Sequence, residues 1–171
     1  MDVFENSEVN MKILIKSKSE IEKIFCDNST ITKTAVISIK DHDGEFAELK
    51  YPPDFLLQIS FDDVDNDVII DEAGWKATNE QIKSIEEKYH MFTDAQADLI
   101  ADFYFTNVDK AEAFICQCEY GQSRSAAVAA AILEFKSRKG IDIFSNDRYY
   151  PNKVVFRKTL KSLKKYSLKS N

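Results

Sequence analysis

Cys118 and Arg124 enclose five residues, Glu119-Tyr120-Gly121-Gln122-Ser123, and Ser125 follows the arginine. A loop this short, built of small and polar residues and running into a helix, turns its backbone N–H groups into a concavity above a helix N-terminus. Both features favour an anion. They also favour the ionised form of a thiol placed among them, and that form is the nucleophile. Arg124 offers a planar fork that matches two oxygens of a phosphate. Nucleophile, anion cradle and charge clamp share one turn of chain, which suits covalent attack on a tetrahedral oxyanion.

The flanking residues must hold that loop. Ala111 to Cys116 is a short apolar run, expected as the central strand of a sheet. Ser125 to Lys139 is alanine-rich and reads as a helix of high propensity, with Gly140 as its C-cap. Cys116 and Cys118 share a face if the strand stays extended. Cys116 reads as a packed core thiol, the alternative being a redox partner for Cys118.

Cys118-Glu-Tyr-Gly-Gln-Ser-Arg124-Ser125 resembles the Cys-x5-Arg-Ser/Thr signature of the protein tyrosine phosphatase superfamily. The run from Gly121 to Ala127 looks most like the dual-specificity branch. It is more similar still to the small predicted phosphatases of bacteria and their viruses, as is the Pro151-Asn152 opening of a terminal helix. The resemblance implies metal-independent hydrolysis of a phosphomonoester through a phosphocysteine intermediate formed on Cys118. The amides of Glu119, Tyr120, Gly121, Gln122, Ser123 and Arg124 would bind the non-bridging oxygens. Gly121 is expected to lack a side chain so that the backbone can approach the phosphate. Arg124 would add a clamp that strengthens in the transition state, and Ser125 would donate to the sulfur as it leaves. Neither a metal nor a cofactor is called for, because the cradle supplies the charge. Gln117 departs from the pattern: the family usually has His there, and Gln forms hydrogen bonds without ever carrying positive charge.

This chemistry needs a proton donor for the leaving group. Phe55 to Phe61 is a continuous apolar strand, suited to cover on both faces, and Asp62-Asp63-Val64-Asp65-Asn66-Asp67 follows it directly. The acidic stretch admits three readings: a calcium loop, a solvated turn, or a loop carrying the acid. The calcium reading lacks the central glycine and terminal glutamate, with Val68-Ile69-Ile70 in that region instead. The resemblance favours the third reading and selects Asp63 by position, with Asp62 and Asp65 next.

Elsewhere, Met11–Ile15 and Thr34–Ile39 read as strands, and Ser17 or Ser19 caps a helix carrying Ile21, Ile24 and Phe25. Cys26 closes that stripe and reads as core. Asp41-His42-Asp43-Gly44 is a turn, in which His42 is exposed without a partner. Residues 66–91 form a polar insert relative to compact family members. Within it Asn79 caps a helix, Trp75 serves as a packing anchor and His90 is structural. Thr93 starts a helix whose Ala97, Ile100, Ala101 and Tyr104 share a face. The expected architecture is α/β, a mainly parallel central sheet with helices on both faces and the loop at the carboxyl ends of the strands.

Composition bounds the rest. The chain of 171 residues, 44% hydrophobic and 30% charged, fits a single domain over 1–171. No run approaches the ~20 apolar residues of a membrane helix, and no basic-then-apolar start marks a signal peptide. Three cysteines give no disulfide framework and, with two distant histidines, no zinc spacing. A cytoplasmic location follows as the expectation. No phosphate-binding glycine motif of a nucleotide enzyme is present. All 29 acidic residues fall at or before Asp147, whereas eight of the 23 basic ones follow it. The basic terminal helix expected at 151–165 is read as offsetting the acidic body rather than meeting nucleic acid, since aromatic interleaving is thin. The leading expectation is a protein tyrosine or dual-specificity phosphatase acting on phosphoproteins, phosphotyrosine first. Glu119 and Gln122 stand where phosphatases of inositol phosphates usually place lysines. The alternatives are a catalytically weak phosphate-binding module, and a sulfurtransferase or arsenate reductase using a second thiol such as Cys116.

Overall fold

The strand that ends on Cys118 lies in the middle of the sheet. The computed structural model describes residues 3–4, 11–27 and 33–169, which leaves most of the Met1–Glu8 start outside. The elements run β1 (Val3–Phe4), β2 (Lys12–Ser17), α1 (Lys18–Ile24), β3 (Thr34–Lys40), β4 (Phe55–Ser60), α2 (Asp67–Ala73), α3 (Asn79–Lys88), α4 (Asp94–Asn107), β5 (Ala113–Cys118), α5 (Arg124–Ser137), α6 (Gly140–Phe144) and α7 (Lys153–Lys169). Among the described residues the sheet order is β1-β2-β5-β3-β4, parallel from β2 onward, with β1 antiparallel on β2. Register sets Ser17 beside Cys118 and Ser38 beside Gln117. The carboxyl ends of β2, β3 and β5 therefore finish at one edge, as a mainly parallel α/β sheet requires.

Side chains alternate across the sheet. Phe114, Cys116 and Cys118 enter the larger core with α4, α5 and α7, whereas Ile115 enters a smaller one with Ile21 and Phe25. Helix α5 is buried from Arg124 to Leu133. Its alanines let it lie close against the strands, which fixes the loop that feeds it.

Several local expectations change. Strand β5 runs into Cys118 itself rather than ending at Cys116, so no spacer separates strand and thiol. Helix α5 ends at Ser137 with Arg138 in the left-handed region (φ 60°); Gly140 instead opens α6, packed where a Cβ would stand 2.7 Å from the Ala130 carbonyl. Strand β4 is covered on one face only, with burial alternating along it. It is the last strand in the order, and α1, on the far face, packs over β2 and β5. Cys26 is exposed, not core, because α1 ends at Ile24 and Phe25 takes the buried place.

Residues 66–91 hold α2 and α3, which bury little: nothing in α2 and only Ile85 in α3. Thr78, not Asn79, caps α3 through a reciprocal bond pair with Gln81. Trp75 anchors nothing, being 87% exposed. The basic α7 docks on acidic neighbours: Lys158 meets Glu86 of α3 at 2.8 Å and Lys165 meets Asp98 of α4 at 2.9 Å.

Candidate active site

After Cys118 the chain turns through Glu119–Ser123 into α5, and its carbonyls fix the turn. Lys18 N–H donates to the Glu119 carbonyl (3.1 Å), Tyr150 N–H to that of Gln122 (2.9 Å), and Ala127 N–H to that of Ser123 (2.8 Å). A trans peptide carries its N–H opposite its C=O, so the amides of Tyr120, Ser123 and Arg124 point away from those donors. Among the described residues, no amide from Glu119 to Arg124 donates to a protein acceptor. Gly121 sits at φ 67°, where a Cβ would stand 2.6 Å from Ser17 N and 2.7 Å from the Lys16 carbonyl carbon. Its bare Cα thus admits the junction of β2 and α1, whereas the sequence suggested room for an anion. The side chains of Glu119, Tyr120 and Gln122 are exposed.

Cys118 is 3% exposed, at the floor of the loop, with Ser125 Oγ 3.0 Å from its Sγ. Arg124 is equally buried. Its Nη1 donates to the Phe61 carbonyl (2.8 Å) and meets Asp41 Oδ1 (2.9 Å). Its buried Nε has no acceptor among the described residues. An unpaired buried donor costs about 1–3 kcal/mol, a cost that an anion would relieve. Gln117 is buried and accepts from Ser38 Oγ at 2.7 Å, joining β5 to β3 through the interior. Cys116 is fully buried; burial first, then the neighbouring Cys118, pushes its thiol up and keeps it protonated. That suits a packed core thiol.

Of the three acids considered, one reaches the loop. Asp63 Oδ1 accepts from Ser123 Oγ and Asn152 Nδ2, both at 2.9 Å, while among the described residues its Oδ2 has no donor. Asn152 also donates to the Val64 carbonyl (3.1 Å) and caps α7, its Oδ1 accepting from Val154 N–H (3.0 Å) and Val155 N–H (3.1 Å). One asparagine therefore joins acid loop and terminal helix. Asp65 accepts from the Asn66 amide (2.6 Å), and Asp62 turns to His42. Burial would raise the Asp62 carboxyl, but hydrogen bonds from the His42 amide and ring bring it below its usual 3.8.

Asp41 and His42 escaped the sequence reading, which took both as turn. His42 is exposed, as expected, but it is not without a partner: it contacts Asp43 and Asp62. Asp41 carried a usable signal: it directly follows a buried strand parallel to β5, which puts it at the edge where Cys118 emerges. A cavity of about 880 Å³ has His42, Ser60, His90 and Gln96 in its walls and no residue of the Cys118–Ser125 stretch. Among the described residues no cluster of three or more His, Cys, Asp or Glu could hold a metal ion.

No family model matches the chain, and no curated protein matches it. A solved structure of PTPMT1 in complex with PI(5)P aligns with a TM-score of 0.50 at 12% identity, over 99% of this chain and 99% of that one. A second PTPMT1 structure aligns at 0.48 and 12% identity, over 99% of this chain and 98% of that one. The chain thus shares the α/β fold of the first of these structures. No helix among its described residues is long and apolar enough to cross a membrane.

Proposed function

We propose that this chain is a phosphomonoester hydrolase of the cysteine-dependent type, a protein tyrosine or dual-specificity phosphatase. The observation that supports it most is the set of donors without a partner among the described residues, the amides of Glu119–Arg124 and the buried Arg124 Nε, next to a thiol hydrogen-bonded to Ser125. In this reading Cys118 attacks phosphorus as a thiolate, and the P–O bond to the leaving group breaks as the S–P bond forms. Arg124 and the loop amides hold the non-bridging oxygens, more strongly as charge spreads over them. Asp63, through its free Oδ2, gives its proton to the departing oxygen and then takes one from the attacking water. The S–P bond breaks, inorganic phosphate leaves, and Ser125 Oγ donates to the returning sulfur. The scheme uses no metal and no cofactor.

A phosphoprotein, phosphotyrosine first, fits a loop whose exposed Glu119 and Gln122 put no positive charge at its mouth. The free, exposed Cys26 fits a reducing compartment such as the cytoplasm. A phosphoinositide substrate is the second reading, favoured by the PI(5)P bound to PTPMT1. Hydrolysis of para-nitrophenyl phosphate in the presence of a chelator tests the chemistry: turnover by wild type and none by Cys118→Ser is expected. Side-by-side assays of a phosphotyrosine peptide and PI(5)P then choose the substrate. An inert wild type that still binds the peptide would make the chain a phosphate-binding module.

A further inference from the structure

Asp62 precedes the proposed acid, and both of its carboxylate oxygens are taken by one residue. The His42 amide donates to Oδ1 at 2.8 Å, and His42 Nδ1 lies 2.9 Å from Oδ2. The other ring nitrogen, Nε2, is 2.8 Å from Asp43 Oδ1. The ring stacks on His90 with centroids 3.5 Å apart and 19° between planes. His90 in turn accepts the Asp62 amide on its carbonyl at 2.9 Å. It does so at φ 46°, a left-handed conformation that is sparsely populated away from glycine. Asp62 is thus held at its carboxylate by the loop after β3 and at its amide by the segment between α3 and α4. One residue away on either side lie the active-site contacts: Asp41 on Arg124, and Asp63 on Ser123.

Carboxylate oxygens accept and do not donate. Both ring contacts of His42 are satisfied together only when each nitrogen carries a proton. A neutral ring donates once and turns a lone pair toward the other carboxylate. Lys40 Nζ, from the end of β3, donates to the His42 carbonyl at 3.5 Å. The remaining charged groups around the adjoining cavity are Lys83, Glu86, Glu87, Asp94 and Lys158. Lys158 is paired with Glu86 at 2.8 Å and Lys83 with Glu87 at 3.9 Å.

Resting on the phosphatase reading, we propose that His42 is a positioning residue: bridging Asp43 and Asp62 and stacked on His90, it holds the acid loop so that Asp63 meets the leaving group. Loss of a ring proton frees one carboxylate and loosens the loop. The alkaline side of the activity profile then depends on His42 as well as on Asp63.

The test uses the full chain, with His42→Phe, which keeps a ring to stack but no donor, and His42→Asn, which keeps one donor. Phenyl phosphate, whose leaving oxygen needs a proton, is compared with 2,4-dinitrophenyl phosphate, whose leaving group departs without one. In His42→Phe, kcat/KM for phenyl phosphate should fall about tenfold, part of the ~10²–10⁴ that general acid catalysis contributes. The dinitrophenyl ester should change by less than about twofold, with His42→Asn in between. The alkaline limb for phenyl phosphate should move in both variants. Equal loss with both esters, or loss with neither, overturns the proposal. Imidazole ¹⁵N shifts at about pH 6 give a readout that needs no turnover: both nitrogens protonated on His42 in wild type, one in Asp62→Asn. A His42 ring indifferent to Asp62→Asn also overturns it. An inert wild type with the bridge intact sinks the phosphatase reading, and the positioning role with it, while leaving the bridge as a structural clamp.

Discussion

Gly121 and Gly74 hold nearly the same backbone angle, φ 67° and 74°, in regions with little else in common. Gly121 lies in the loop between Cys118 and Arg124, where a Cβ would strike the Lys16–Ser17 backbone; around Gly74, in the 66–91 segment, a Cβ would meet nothing within 4 Å. The loop is bounded by a buried strand and a buried helix, and three of its carbonyls are held, by the start of α1, by Tyr150 and by α5 itself. The insert rests on Ile85 and on exposed pairs such as Lys88 with Glu72. A site that must present unpaired donors needs its other groups fully committed. A surface excursion is free to vary.

The sharpest break in that contrast should come from Arg124. Arg124→Lys removes the fork that reaches Phe61 and Asp41, and kcat/KM for para-nitrophenyl phosphate should fall about 10²–10³-fold. Lys88→Ala in the insert should leave it within about twofold in the same assay. Urea unfolding should separate the two glycines. Gly121→Ala combines backbone strain with a clash and should cost about 3 kcal/mol, whereas Gly74→Ala carries strain alone and should cost about 1 kcal/mol.

A smaller effect concerns acid. Asp62 and Glu20 both titrate below their ordinary values: in each, burial works upward and is outweighed, by bonds from His42 in the first case, and by bonds from Ser17 with Lys16 and Arg148 in the second. Carboxyls lowered in the folded state stabilise it fully above their unfolded values. That stability is lost as pH falls through the lowered ones. Thermal melts across about pH 5 to 2 should therefore show a decline that His42→Phe makes shallower. Smallest of all, Trp75→Ala should change unfolding free energy by less than about 0.5 kcal/mol, since the ring is 87% exposed.

What the sequence made legible follows the same division. The central strand, the loop and the alanine-rich helix are local in chain and strongly patterned, so their spacing placed Cys118 and Arg124 together, and the family resemblance added Ser125. Asp63 was chosen by its place after a strand. Asp41 was passed over although it, too, directly follows a strand; its meeting with Arg124 depends on strand order, and the role of Asn152 on the docking of α7, neither of which is written in local spacing. His42 was misread for the same reason: its partners Asp62 and His90 are 20 and 48 positions away in the sequence. Trp75 misled through residue type, since a large apolar ring usually packs and this one follows a glycine turn on a segment with almost no core.

A phosphatase of this type forms a covalent bond between phosphorus and one sulfur. Wild type mixed with para-nitrophenyl phosphate, acid-quenched within the first turnover and digested, should yield the peptide containing Cys118 heavier by one phosphate group. Cys118→Ser should yield no such peptide and release no nitrophenol. Undiminished turnover in Cys118→Ser, or phosphate carried on any other residue, would contradict the account.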